Sequence, residues 1–71
     1  MELRKFNNKV VTMTDVDNQT FEGICLFEDK HTFDEEYNAL SVKTSLLWMR
    51  LFKNEILNVE IIEKINQPKS P

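Results

Sequence analysis

The sequence contains one cysteine, Cys25, one histidine, His31, and one glycine, Gly23, and both of its prolines, Pro68 and Pro71, fall in the final NQPKSP stretch. Each scarcity excludes something. A single cysteine rules out a disulfide within the chain, and one Cys with one His cannot supply the four soft ligands of a structural zinc site. No stretch approaches the roughly 20 apolar residues that span a bilayer. The opening MELRKFNNK is basic but lacks an apolar core, so no secretory signal is expected there. One free thiol suits a reducing compartment, and a cytoplasmic location is the expectation. The motifs of common catalysis are missing too: no nucleophile–base pair, glycine-rich phosphate loop or metal set can be assembled, which argues against an enzyme or a bound cofactor.

The formal net charge of −3 argues against bulk attraction to a phosphate backbone. Any nucleic-acid site must therefore rest on individually placed residues. At 71 residues the chain forms one small domain. A domain of this size buries only about 60% of the surface its unfolded chain exposes, so a lone core is marginal. With disulfides excluded and a structural zinc site disfavoured, self-association is the expected source of extra stability.

Residues 1–66 read as one structured domain, and 67–71 as a disordered tail. Leu3 and Phe6 share the face of a short N-terminal helix across Glu2 to Phe6. KVVTMT, from Lys9 to Thr14, is β-branched, with Val11 and Met13 on one face and Val10, Thr12 and Thr14 on the other. DVDNQ, from Asp15 to Gln19, has turn chemistry, because Asp and Asn bond their own backbone and tolerate left-handed geometry. TFEGICLFE, from Thr20 to Glu28, alternates Phe21, Gly23, Cys25 and Phe27 against Ile24 and Leu26. A glycine inside a strand marks a sharp bend or a close backbone approach.

An acidic stretch follows, HTFDEEYN over His31 to Asn38, and then two further apolar segments, NALSVKTS and LLWMRLF. In the first, Leu40 and Val42 share a face. In the second, only Arg50 breaks the apolar run. After the break KNE comes ILNVEIIEKI, which fits a helical stripe of Leu57, Ile61 and Ile65 or a strand face of Val59 and Ile61. Its β-branched content favours the strand. The expected architecture is therefore mostly β: a short helix, then five strongly bent antiparallel strands in a small barrel, since closure removes exposed edges.

Several residues in this order resemble the motifs of the Sm-like (LSm) family of small β-barrels, in a divergent bacterial form. Phe21-Glu22-Gly23 is similar to the family's aromatic-x-Gly step, and Asp17-Asn18 stand at its Asp-Gly or Asn-Gly turn. Phe33-Asp34-Glu35-Glu36-Tyr37-Asn38 resembles its Phe-Asp-x-x-Met-Asn loop, with Tyr in place of Met. Met49-Arg50 and the break before Ile56 resemble the second motif, with Leu51 where the family carries glycine. The interval from Gly23 to Phe33 is longer than the family's. A second register, with Phe27-Glu28-Asp29 at the loop motif, makes HTFDEEYN an insertion instead.

The resemblance implies a ring or smaller homo-oligomer that pairs the fourth strand of one subunit with the fifth of the next, and a weak site for short single-stranded RNA. It carries RNA-binding roles to Tyr37, which would stack on a base, to Asn38, which would read its edge, and to Arg50. Trp48, Phe52, Val59 and Ile61 are the residues expected at the subunit interface. The alternative is a protein-interaction adaptor that keeps the barrel without RNA, docking a partner through Trp48, Phe52 and the acidic loop. His31 with Asp34, Glu35 and Glu36 reads chiefly as a solvated loop, against a partial metal set or an acid/base pair. Tyr37 covering the barrel end, Asn38 opening a strand and Arg50 pairing with a carboxylate are the structural readings of the same positions. Cys25 reads as a small buried hydrophobe.

Overall fold

Alternation in the sequence becomes alternation in burial along the first two strands. The computed structural model describes residues 2–62. The expected tail 67–71, the last residues of the expected domain, 63–66, and Ile65 of the alternative helical stripe lie outside the described residues.

The strands are β1 (Val10–Asp15), β2 (Thr20–Glu28), β3 (Ala39–Lys43), β4 (Trp48–Phe52) and β5 (Ile56–Ile61). They form one antiparallel sheet in the order β4-β3-β2-β1-β5. The short N-terminal helix is reduced to a single 3-10 turn, Arg4–Phe6. Three residues cannot propagate an α-helix, and what holds this turn is tertiary: Leu3 and Phe6 are buried in the core. The expected closure is also not reached among the described residues. β4 and β5 are the two edges of the sheet and do not pair with each other.

Val11, Met13, Cys25, Leu40 and Val42 are fully buried, and Leu51, Ile56 and Val59 complete the core around them. Phe21, Phe27 and Met49 pack against this cluster. The single glycine sits where β2 changes partners. Residues Thr20 to Ile24 pair with β1, and Ile24 to Glu28 pair with β3. A Cβ on Gly23 would overlap the backbone carbonyl of Lys43, so the bend brings main chain against main chain. β1 pairing resumes past the bend, where Cys25 N–H donates to Lys9 and Asn8 N–H donates to the Cys25 carbonyl.

The DVDNQ segment is the turn expected of it. The Asp15 side chain accepts from the N–H groups of Asp17 and Gln19, at 2.8 and 2.9 Å. Asn18 takes the left-handed conformation at φ 66°. The ambiguous last segment is a strand, antiparallel to β1, with Met13 opposite Val59 and Val11 opposite Ile61. Its register shifts between Thr14 and Asp15, where Thr14 faces Asn58 but Asp15 faces Ile56. The extra residue, Leu57, points Ile56 and Val59 into the core at a spacing of three, which resembles a helical repeat.

Candidate functional site

The 29–38 stretch joins β2 to β3 as an ordered loop built on one aspartate and one asparagine. The Asp29 carboxylate accepts from His31 and Thr32 N–H, and its carbonyl accepts from Thr32 and Phe33 N–H. Asp34 adopts a positive φ of 56°, and Glu35 N–H returns to the Lys30 carbonyl at 2.8 Å. Phe27-Glu28 belong to β2, so the motif Phe33 to Asn38 lies wholly in the loop. His31 and its acidic neighbours Asp34, Glu35 and Glu36 are exposed. Among the described residues, no three His, Cys, Asp or Glu side chains come together to hold a metal ion.

Asn38 closes the loop. Its side-chain oxygen accepts from Lys30 N–H, and its carbonyl accepts from Lys53 N–H, both at 2.8 Å. This second bond ties the loop to the 3-10 turn Lys53–Glu55 between β4 and β5. That turn is itself fixed by Glu55, whose carboxylate reaches back to Phe52 N–H at 3.0 Å. The two segments enclose a groove of about 470 Å³ lined by Lys30, Glu36, Tyr37, Asn38, Lys53 and Asn54. Tyr37 is 40% exposed, so its ring is open to a ligand. The groove offers an aromatic face, the Asn54 amide and two lysines against one carboxylate. Asn38 keeps only its amide N–H donors for a ligand, because its side-chain oxygen is taken by Lys30 N–H. Those groups suit a flat, polar, anionic ligand.

Tyr37 and Asn38 therefore stand together, and Arg50 stands elsewhere. Its guanidinium Nε lies 2.7 Å from a Glu28 carboxylate oxygen, and the other Glu28 oxygen accepts from the Ser41 hydroxyl. It also lies over the rings of Phe33 and Phe52, at 5.8 and 5.3 Å from their centroids. Arg50, Glu28 and Ser41, with Leu26, Phe33 and Trp48, line a second groove of about 460 Å³ on the face of β2, β3 and β4 that points away from the core. Lys30 and Lys53 were not among the residues the sequence singled out. The sign that could have found Lys53 is its place in the break between two apolar runs. Nothing in the sequence puts Lys30 beside it, because only the folded loop does that.

The residues expected at an interface divide in the same way. Trp48 on β4 is half exposed, Phe52 partly buried, and Ile61 on β5 40% exposed. The Val59 side chain lies in the core, which leaves its backbone as the part able to meet another chain. The hairpin turn between β3 and β4 carries a further apolar pair. Leu46 is 89% exposed and Leu47 51%. Thr44 holds this turn rigid, accepting from Leu46 and Leu47 N–H and donating its hydroxyl to the Leu47 carbonyl.

Cys25 is buried, and burial pushes its thiol up from an ordinary 9.0 to about 11. A thiol so placed is neither a nucleophile nor a metal ligand at neutral pH. No helix of the described residues is long and apolar enough to cross a membrane. No protein-family model, characterised protein or solved structure matches this chain.

Proposed function

We propose that this chain is a small Sm-like barrel that associates with copies of itself and binds single-stranded RNA weakly in the groove between the 29–38 loop and the Lys53–Glu55 turn. The observation that carries the reading is the grouping of Tyr37 and the Asn38 amide with Lys30 and Lys53 in one open groove. A base can stack on Tyr37, while the two ammonium groups meet the flanking phosphates. Stacking of this kind contributes about 1 to 3 kcal/mol per base. The carboxylates of Glu36 and its neighbours oppose phosphate, which fits weak rather than tight binding.

The strand order supports the assembly. β4 and β5 are consecutive in sequence yet are opposite edges of the sheet. Both present unpaired backbone groups that a neighbour's complementary edge can satisfy, which would complete the barrel-like wall around a ring. Exposed Ile61 and Trp48 flank those edges. The buried, un-ionised Cys25 is compatible with a reducing cytoplasm.

Anisotropy of a fluorescein-labelled oligo(U) or oligo(A) tests the RNA reading. Two lysine–phosphate contacts predict a slope of log K against log salt of about −1.4 for a single strand, and Lys53→Gln lowers its magnitude by about 0.7. Tyr37→Ala weakens binding without changing the slope. Absence of binding to either oligomer at low salt rules this reading out. Sedimentation velocity tests the assembly, and a strictly monomeric sample at micromolar concentration rules that part out.

A protein-docking adaptor is the second reading. The exposed apolar residues Leu46, Leu47 and Trp48 on and beside a rigid hairpin turn favour it. Self-association without any RNA binding is the outcome that selects it.

A further inference from the structure

Arg50 draws together groups from every segment around the acidic loop. Glu28 comes from the end of β2, Ser41 from β3, Phe52 from the end of β4 and Phe33 from the loop itself. Glu28 is held on both sides, accepting from Arg50 with one oxygen and from Ser41 with the other. The guanidinium is thereby fixed, and its position over both Phe33 and Phe52 links the loop to the sheet. A planar, delocalised cation can do this, whereas a compact ammonium cannot stack in the same way.

The loop needs such an anchor. Asp34, Glu35 and Glu36 put three exposed carboxylates side by side, and their repulsion opposes the closed conformation that Asp29 and Asn38 build. Phe33 is the apolar residue at the loop's centre, and it is half exposed rather than seated in the core. Its contact with Arg50 ties the middle of the loop to the sheet, over the groove that Leu26 and Trp48 also line. Arg50 itself lines no part of the groove that holds Tyr37 and Asn38.

We propose that Arg50 is a positioning residue: held by Glu28, it clamps the 29–38 loop through Phe33 and so presents Lys30, Tyr37 and Asn38 to the ligand without touching it. This rests on the reading of the Tyr37 groove as an RNA site, and it reassigns Arg50 from RNA contact to loop order. Direct contact and clamping differ in what they require of the side chain. A phosphate contact needs positive charge, which lysine retains. The clamp needs the stacked guanidinium, which lysine loses.

The experiment uses the full chain with Arg50→Lys, Arg50→Gln and Phe33→Ala. Amide hydrogen exchange is followed at Lys30 and Glu35, whose N–H groups are bonded within the loop, with Met13 in β1 as the internal reference. All three variants are expected to speed exchange at Lys30 and Glu35 by about 2- to 5-fold while Met13 is unchanged. Oligo(U) affinity is expected to fall in all three, by no more than that factor, since it follows the closed fraction of the loop, with the salt slope and thermal midpoint held. Wild-type exchange at Lys30 and Glu35 in Arg50→Gln and Phe33→Ala overturns the proposal. So does wild-type affinity in Arg50→Lys alongside weakened Arg50→Gln, which is the pattern of a direct phosphate contact. If the unmodified protein binds no oligo(U), the RNA reading fails by itself, and the exchange data still decide the clamp.

Discussion

The backbone of Gly23 lies against the carbonyl oxygen of Lys43 with no room between them for a side chain. The obstruction is main chain, which cannot rotate away as a flexible side chain would. Gly23 does not occupy a positive φ, so the contact alone decides its tolerance. Gly23→Ala is expected to destabilise the protein by about 3 kcal/mol, the upper range for forcing atoms into a packed interior. Urea denaturation measures this. An unchanged or higher midpoint would mean that the alanine only restricts the unfolded chain and the bend opens freely.

Leu40 is fully buried and sits between Phe27 of β2 and Leu51 of β4. Leu40→Ala leaves a cavity in a core with few residues to collapse into it, at a cost of about 2 to 5 kcal/mol. A 71-residue domain holds about 4 to 10 kcal/mol in total. The variant is therefore expected to melt at a much lower temperature or to be unfolded at 25 °C, as read by circular dichroism.

Asp15 is buried and satisfies two backbone donors of the β1–β2 turn with one carboxylate oxygen. Asp15→Ala strands both N–H groups and is expected to cost about 1 to 3 kcal/mol. Asp15→Asn keeps an acceptor at the same place and is expected to lose much less. Equal losses in chemical denaturation would show that the negative charge, not the hydrogen bonds, matters.

The Cys25 thiol supplies a pH dependence of known sign. Its ordinary value is 9.0, and burial raises it to about 11 in the folded chain. Above pH 9.0 the unfolded state loses this proton first and binds fewer protons than the folded state. Stability from this group is therefore full below 9.0 and is lost as pH rises towards about 11. Urea midpoints of the wild type are expected to fall more steeply across that window than those of Cys25→Ala. Parallel slopes would rule the effect out.

Much of the sheet is legible in the sequence because strand faces are a local property. The alternations Val11/Met13 and Phe21/Gly23/Cys25/Phe27 need no knowledge of a partner, and DVDNQ makes its turn from its own side chains. β3 is harder. Ala39 and Ser41 are buried as well as Leu40 and Val42, because Glu28 and Arg50 cover the face that alternation would leave to water. The last strand looked part helical because Leu57 and Ile61 fall four apart, yet both are exposed. The residues that enter the core, Ile56 and Val59, are chosen by a bulge that depends on pairing with β1. The site divides in the same way. Tyr37-Asn38 are adjacent and visible, whereas Lys30 and Lys53 come to line one groove only after Asn38 joins the loop to the turn. The partner of Arg50, Glu28, lies 22 residues back along the chain, beyond the reach of any local pattern.

The pairing of β1 with β5 sets a condition on how the chain acquires its structure. Val11 meets Ile61 across the whole length of the described fold, and the inner strand β1 waits for the last strand to cover its second side. Closing so long a loop delays the reward of contact and slows folding. During synthesis, β1, β2 and β3 can pair in order as they emerge, but β1 keeps one row of hydrogen-bonding groups bare until Ile61 has been made. Until then the nascent protein carries a strand that any passing extended segment could pair with.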